Sequence, residues 1–270
     1  MYAFTFERPA SLADATRAAQ AGGAKVLAGG QTLLASMKLR LANPETLVDL
    51  GAIAELAGVK RESNNLVIGA MTRHADVAAH PDVRAAIPAL ADLAGGIGDR
   101  QVRAMGTLGG SVANNDPAAC YPAAVLALNA TVQTTQRKIA ADDFFTGMFS
   151  TALNDGELIT SISFPIPKRA AYMKFKQPAS RFALVGVFVA QTDAGVRVAV
   201  TGAGNGVFRH KGLEDALNKS FTPEAAAGVK IDASELNSDL HATAAYRANL
   251  IGVLTQRAVR KALGQGLDRP

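Results

Sequence analysis

Two short runs carry residue types that bind phosphate. KVLAGGQTLL, residues 25–34, sets Gly29 and Gly30 after an apolar run and before Gln31 and Thr32. MGTLGGSVANNDPAA, residues 105–119, sets Gly109 and Gly110 between the hydroxyls of Thr107 and Ser111. A glycine lacks the Cβ that holds a ligand off and tolerates positive φ, so a pair lets something approach the main chain closely. Helical spacing follows each pair, and free N–H groups at a helix start favour an anion. Two such loops, about 80 residues apart, could close from opposite sides on one pyrophosphate, their N–H groups forming concave anion sites. Either pair alone reads equally well as an ordinary turn. It is the repetition that argues for a pincer.

Other chemistries fit less well. Thr201-Gly202-Ala203-Gly204-Asn205-Gly206 begins like a dinucleotide fingerprint, but Val207 stands at the third glycine and the strand–helix–strand context is missing. These glycines read as a turn after a strand. The four histidines, His74, His80, His210 and His241, show no metal-ligand spacing. His74 reads as a structural ring in the first turn of a helix. Cys120 is the only cysteine, so the chain cannot supply the thiolates of an ordinary iron–sulfur cluster, and it reads as a small buried residue. Phe144 and Phe145 read as core and turn, and Asp142 and Asp143 as a solvated loop.

The elements that must position these loops follow from periodicity. Ser11 opens a helix over 11–22, Lys25 to Ala28 is a short strand, and Leu33, Leu34, Met37 and Leu41 recur at helical spacing. Thr46 to Leu50 reads as a strand, LVIGAM as another, and VRAAIPALADLAGGI as a helix containing Pro88. ATVQTTQ and ELITSISFPIP read as strands, followed by consecutive antiparallel strands from Ala171 and a helical tail. In that tail Tyr246, Leu250, Val253 and Leu254 form one stripe, with Arg247, Arg257 and Lys261 outside it. A chain of 270 residues that is 49% hydrophobic supports two or three lobes with real cores. Lys and Arg number 28 against 23 Asp and Glu, without a basic block, which disfavours nucleic acid as a partner. No run approaches the ~20 apolar residues of a membrane span and no leader is evident, so the expected compartment is the cytoplasm.

The runs KVLAGGQTLLASMKLRLANPETLVDL, IGAMTRHADVA, GTLGGSVANNDPAA, DFFTG, GELITSI and KFKQPASRFALVGVFVA, in this order, resemble the FAD-binding medium subunits of molybdenum hydroxylases, the family of the carbon monoxide dehydrogenase medium subunit and the xanthine dehydrogenase flavin domain. The resemblance spans nearly the whole chain. It implies an α+β architecture, the vanillyl-alcohol-oxidase (PCMH) type FAD-binding fold of two α/β subdomains, plus a C-terminal domain with a three-stranded antiparallel sheet and helices. The implied boundaries are 1–58, 59–168 and 169–270. The family's first FAD loop falls on Lys25, Leu27, Ala28, Gly29, Gly30, Gln31, Thr32 and Leu33, and its second on Thr107, Gly109, Gly110 and Ser111. Flavin-edge contacts fall on Ile159 and Lys176, with Asp116 nearby. Ser111 departs from the Asn common among relatives, and Cys120 from an acidic residue. Phe182 lies where relatives place an aromatic, although burial between strands explains it equally.

The division of labour implied by the resemblance puts molybdopterin on a large partner subunit and two [2Fe–2S] clusters on a small one, in a dimer of heterotrimers. This chain then carries FAD, takes electrons from the clusters and passes them to an external acceptor. The lone cysteine and the lack of a catalytic side-chain constellation suit that role, because the cofactor does the redox work. A self-sufficient flavin oxidoreductase of the same fold and a flavin-free assembly subunit are the competing readings. Lys176 is the stronger expected cofactor contact, because a cation between strands needs a partner to offset its desolvation.

Overall fold

A computed structural model describes residues 1–266 of the chain. Among the described residues three larger sheets follow one another along the sequence, beside a two-stranded ribbon of Phe145–Gly147 and Ser150–Thr151. The first is parallel, in the order Thr5–Glu7, Thr46–Asp49, Ala24–Leu27. Ser11 caps the helix Leu12–Ala19 by accepting from Asp14 N, and this helix lays Ala15 on Val48, Leu50, Ile53 and Leu56. Strand Ala24–Leu27 then runs through the first glycine loop into the helix Leu33–Lys38. That helix is shorter than its apolar spacing suggests: it ends before Leu41, which is exposed, because Arg40 at φ 61° leaves the helical region.

The middle sheet is antiparallel throughout, in the order Val59–Glu62, Asn65–Gly69, Ile159–Pro165, Thr131–Thr134, Lys138–Ala140. Its apolar face, with Leu66, Ile68, Ile162 and Phe164, packs on Leu90, Leu93, Tyr121 and Val125. The single helix expected around Pro88 is two, Pro81–Ala86 and Pro88–Gly95. Proline has no N–H to continue a helix and forces the preceding residue out of it, and Ile87 accordingly sits at φ −138°, ψ 70°.

The C-terminal sheet has four antiparallel strands rather than three: Arg169–Lys176, Ala183–Thr192, Gly195–Thr201 and the two-residue edge Phe208–Arg209. The edge strand is too short to announce itself by alternation. One face carries Val185, Val187, Val198 and Val200 against Leu250, Ile251 and Leu254 of the helix Ala244–Ala262. The other carries Tyr172, Phe188, Ala190 and Ala199 into the core of the middle sheet. Helices Pro88–Gly95 and Tyr121–Ala127 therefore lie between two sheets.

The stripe expected on the last helix is rotated by one position. Tyr246 is 42% exposed, whereas Arg247 is 3% exposed, donating to Leu184 O at 2.7 Å and Gly202 O at 2.8 Å and pairing with Asp239 at 2.7 Å. Those acceptors, one in the strand Ala183–Thr192 and one in the turn after Gly195–Thr201, are ones the tail cannot reveal. Asp142 is likewise no loop residue: it belongs to the short helix Ala141–Phe144 and pairs with Arg197 and Arg209 of the C-terminal sheet. Phe144 is fully buried, as a core residue should be, while Phe182 is 46% exposed and so is not buried between strands.

Candidate functional site

The two glycine loops meet. A Cβ on Gly29 would fall on the Met105 carbonyl oxygen and 2.7 Å from Gly106 Cα, and one on Gly110 would lie 3.3 Å from Ala28 Cβ. Gly30 adopts φ +70°, a conformation that favours glycine. The glycines thus allow the loops to approach each other main chain to main chain.

The loops differ in what they leave free. Among the described residues, the N–H groups of Gly29, Gly30, Gln31 and Thr32 make no hydrogen bond, and Thr32 caps its helix without a side-chain bond. In the second loop the first amides are already used. Leu108 N donates to Thr72 O, Gly109 N to Ala70 O at 2.8 Å and Gly110 N to Thr107 Oγ1 at 3.2 Å. The expectation that both loops offer amides to an anion is therefore corrected: the turn that follows strand Asn65–Gly69 and the Thr107 hydroxyl take up those of Leu108, Gly109 and Gly110. What remains there is the Ser111 hydroxyl, half-buried and unbonded among the described residues.

The other expected contacts gather around this seam to different degrees. Thr160 O accepts from Ala70 N at 2.9 Å, and Ala70 O holds Gly109, so Ile159 lies one residue from the second loop's support. Ile159 itself is a buried core residue. Asp116 uses Oδ1 to accept from Ala118 N at 2.8 Å, closing a turn. Ala118 O accepts from Ala183 N, and Ala183 is the ladder partner of Lys176, so the end of the KFK strand abuts the continuation of the second loop. A bulge between Phe175 and Lys176 shifts the register there. Lys25 is exposed, and Leu27, Ala28 and Leu33 are half-buried.

Lys176 is exposed and unbonded among the described residues, so the desolvation argument does not apply to it. The cation held between elements is Lys174, which donates to Gly96 O at 2.8 Å, Arg181 O at 3.0 Å and Cys120 Sγ at 3.3 Å. The signal for it was present in YMKFK, where Tyr172 and Lys174 alternate onto one face. Behind the second loop, His74 begins the helix His74–Ala79, and a Cβ on Gly106 would lie 2.6 Å from its Nε2. Burial, reinforced by Arg103, lowers its pKa to about 4, so the ring is neutral at physiological pH.

A parallel sheet feeding an amide-rich glycine loop, an antiparallel sheet supporting a second loop against it, and an appended sheet-and-helix domain define an FAD-binding flavoprotein of the vanillyl-alcohol-oxidase type. Residues 2–167 match the family model described as FAD binding domain in molybdopterin dehydrogenase, and the chain belongs to this family. It is 36% identical to the carbon monoxide dehydrogenase medium chain of Hydrogenophaga pseudoflava, covering 96% of each chain. It is 35% identical to the nicotine 6-hydroxylase medium subunit of Paenarthrobacter nicotinovorans, covering 96% of this chain and 97% of that one. Among solved structures, quinoline 2-oxidoreductase from Pseudomonas putida 86 superposes with a TM-score of 0.90 at 28% identity, covering 97% of this chain and 98% of that one. The chain is an FAD-binding medium subunit of the molybdenum hydroxylases, an oxidoreductase flavoprotein subunit.

The donor set fits such a cofactor. Four consecutive unbonded amides offer a dianionic pyrophosphate charge-assisted hydrogen bonds.

Proposed function

We propose that this chain is the electron-transfer subunit of a molybdenum hydroxylase, accepting electrons from [2Fe–2S] clusters on a small partner subunit and passing them to an external acceptor. The observation that carries the reading is the seam of the two loops, which leaves the amides of Gly29 to Thr32 unbonded in a row. In this reading those amides and the Ser111 hydroxyl hold the pyrophosphate, and Gln31 and Thr32 line it. Lys176, projecting beyond the bulge, offers a cation at the flavin edge. Ile159 serves from the core, by fixing Thr160 and thereby the Ala70–Gly109 contact. Bound FAD would supply two-electron redox chemistry with single-electron steps.

The partners follow from what this chain lacks. One cysteine cannot ligate a [2Fe–2S] cluster, so the clusters, like the molybdopterin, belong to other subunits. The names of the relatives, medium chain and medium subunit, support a complex with a large and a small subunit. We place it in the cytoplasm as a dimer of heterotrimers. Among the described residues no helix is long and apolar enough to cross a membrane.

Gln31→Glu tests the pyrophosphate site at an exposed residue, and Gln31→Leu, which removes the bond from Nε2 to Gly29 O at 3.3 Å without adding charge, controls for the loss of that contact to the loop. A carboxylate beside a phosphate at a protein surface costs about 1–3 kcal/mol, so FAD affinity should fall by about tenfold or more. Gln31→Lys should not weaken it. Titration of the flavin-depleted chain with FAD reads all three, and equal affinity for Gln31→Glu and Gln31→Lys would remove the pyrophosphate from this loop.

A further inference from the structure

A buried carboxylate stands where the first and middle sheets join. The side chain of Glu157 is 0% exposed, a state glutamate almost never adopts without partners. Here both oxygens are fully engaged. Oε1 accepts from Thr134 Oγ1 at 2.6 Å and Arg137 Nε at 3.2 Å, and Oε2 from Asn154 N at 2.8 Å and Arg137 Nη2 at 3.2 Å. Burial raises its pKa, but these bonds outweigh burial and hold the carboxyl below its ordinary range, so the group is ionised. Its neighbours in the chain face two different cores. Gly156, at φ +72°, lies so close to the end of the helix Leu12–Ala19 that a Cβ would stand 2.5 Å from Gln20 Cγ and 3.2 Å from Gln20 N. Leu158 is buried under the first sheet with Ala15, Val48 and Leu56. Ile159 is buried in the core of the middle sheet with Leu66 and Ile68. The main chain of Leu158 nevertheless belongs to the middle sheet, since its N donates to Thr135 Oγ1 at 3.2 Å and its O accepts from Thr135 N at 2.9 Å.

We propose that Glu157 is a positioning residue for FAD: by fastening the segment 154–157 to Thr134 and Arg137 it seats Leu158 in the first sheet's core and so sets the two glycine loops against each other. The inference rests on the reading that the cofactor lies on those loops. On one side, Leu158 packs with Val48, whose ladder partner Val26 belongs to the strand that runs into Gly29–Thr32. On the other, Thr160 O accepts from Ala70 N at 2.9 Å, and Ala70 O from Gly109 N at 2.8 Å. Residues 158–160 therefore reach the supports of both loops. Glu157 touches neither loop. Its charge matters because four donor contacts converge on two oxygens, and only a carboxylate accepts at both. A chain whose first sheet has drifted from the middle one binds FAD poorly, since the apparent Kd is the intrinsic Kd divided by the competent fraction.

The experiment uses the full chain, first depleted of flavin and then titrated with FAD. Glu157→Gln keeps the shape of the side chain but turns one oxygen into an NH2 that faces Arg137 and either Thr134 or Asn154 N. Without flavin, amide hydrogen exchange should quicken by about tenfold in Leu12–Ala19 and Thr46–Asp49 and stay at the wild-type rate in Ala183–Thr192. With FAD, the apparent Kd should rise by about tenfold. Leu158→Ala should reproduce both effects with the carboxylate intact, and it carries the test if Glu157→Gln does not fold. Arg247→Met separates positioning from stability: it loosens the C-terminal sheet, so it should lower the melting temperature yet leave the FAD Kd near wild type. Exchange that quickens equally in all three sheets, or that stays at the wild-type rate in the first, overturns the proposal. So does an FAD Kd that follows melting temperature alike in Glu157→Gln and Arg247→Met. An unchanged Kd in Glu157→Gln overturns it while Gln31→Glu still binds FAD weakly; where Gln31→Glu also binds normally, the pyrophosphate reading fails and the proposal falls with it.

Discussion

Replacing Gly29 with alanine adds one methyl group at the seam of the two loops, and its consequences can be worked out from the contacts there. The new carbon would lie 2.7 Å from Gly106 Cα and 2.9 Å from the Met105 carbonyl carbon. Carbon atoms settle at about 3.5–4.0 Å, so the loops must part by roughly 1 Å. The obstacle is backbone, which cannot rotate aside as a side chain would. Overpacking of this kind costs about 1–3 kcal/mol, which lowers the melting temperature of a chain this size by a few degrees, at about 2–4 °C per kcal/mol. The larger effect falls on the cofactor. Hydrogen bonds to charged groups contribute about 1.5–3 kcal/mol each, and if the amides of Gly29 to Thr32 hold the pyrophosphate as proposed, moving them by such a distance weakens several bonds at once, so FAD affinity should drop by more than tenfold. Gly110→Ala should be milder, because its new carbon meets the Thr107 hydroxyl at 2.8 Å and the Ala28 methyl at 3.3 Å. Gly22→Ala, where nothing lies within 4 Å, is the control. Flavin absorbance per protein and thermal unfolding by circular dichroism read both effects. A Gly29→Ala chain with wild-type flavin content and melting temperature would refute the close apposition of the loops.

Two further outcomes concern stability. His74 has a folded-state pKa of about 4 against an ordinary 6.5, so the unfolded chain takes the proton first: stability is full above pH 6.5 and falls between about 6.5 and 4, by about 3 kcal/mol in total. Urea midpoints across that range should flatten in a His74→Phe variant, and an unchanged slope would show that the ring is not the titrating group. Arg247→Met removes a buried cation from Asp239 and from the carbonyls of Leu184 and Gly202. Asp239 stays solvated, but each buried carbonyl left without its donor costs about 1–3 kcal/mol, and a shift below about 1 kcal/mol in urea unfolding would mean that the arginine is replaceable there.

Local pattern was readable in the sequence, and long-range geometry was not. The paired glycines, the capping Ser11, the strands of alternating polarity and the order of the motifs declare themselves within a few residues. Which way each glycine faces does not, because Gly29 meets Met105 and Gly106 across most of the first two sheets. The same holds for the amides of Leu108 and Gly109, whose acceptors, Thr72 and Ala70, lie in the turn after the strand Asn65–Gly69. Lys174 and Lys176 look alike in sequence, and a single bulge decides that one is held by three acceptors while the other projects freely. Arg247 looks like a solvated charge until the turn it fastens, 45 residues upstream, is folded against it.

These observations change what the glycine pairs are for. Had they only cleared space for phosphate, a side chain there would cost affinity and leave the fold alone. Gly29, Gly109 and Gly110 instead face protein atoms: Met105 and Gly106, Ala70, and Thr107 and Ala28. Their first task is to bring the loops together, and the unbonded amides of residues 29–32 are what that arrangement leaves facing outward. Cofactor affinity and fold stability are then coupled by mass action. A ligand that binds only the closed seam stabilises it by RT ln(1 + [L]/Kd), about 2.7 kcal/mol at a hundredfold excess over Kd. That is comparable with the strain one methyl group introduces. It follows that saturating FAD should restore part of the melting temperature lost in Gly29→Ala but none of that lost in Arg247→Met beyond what wild type also gains.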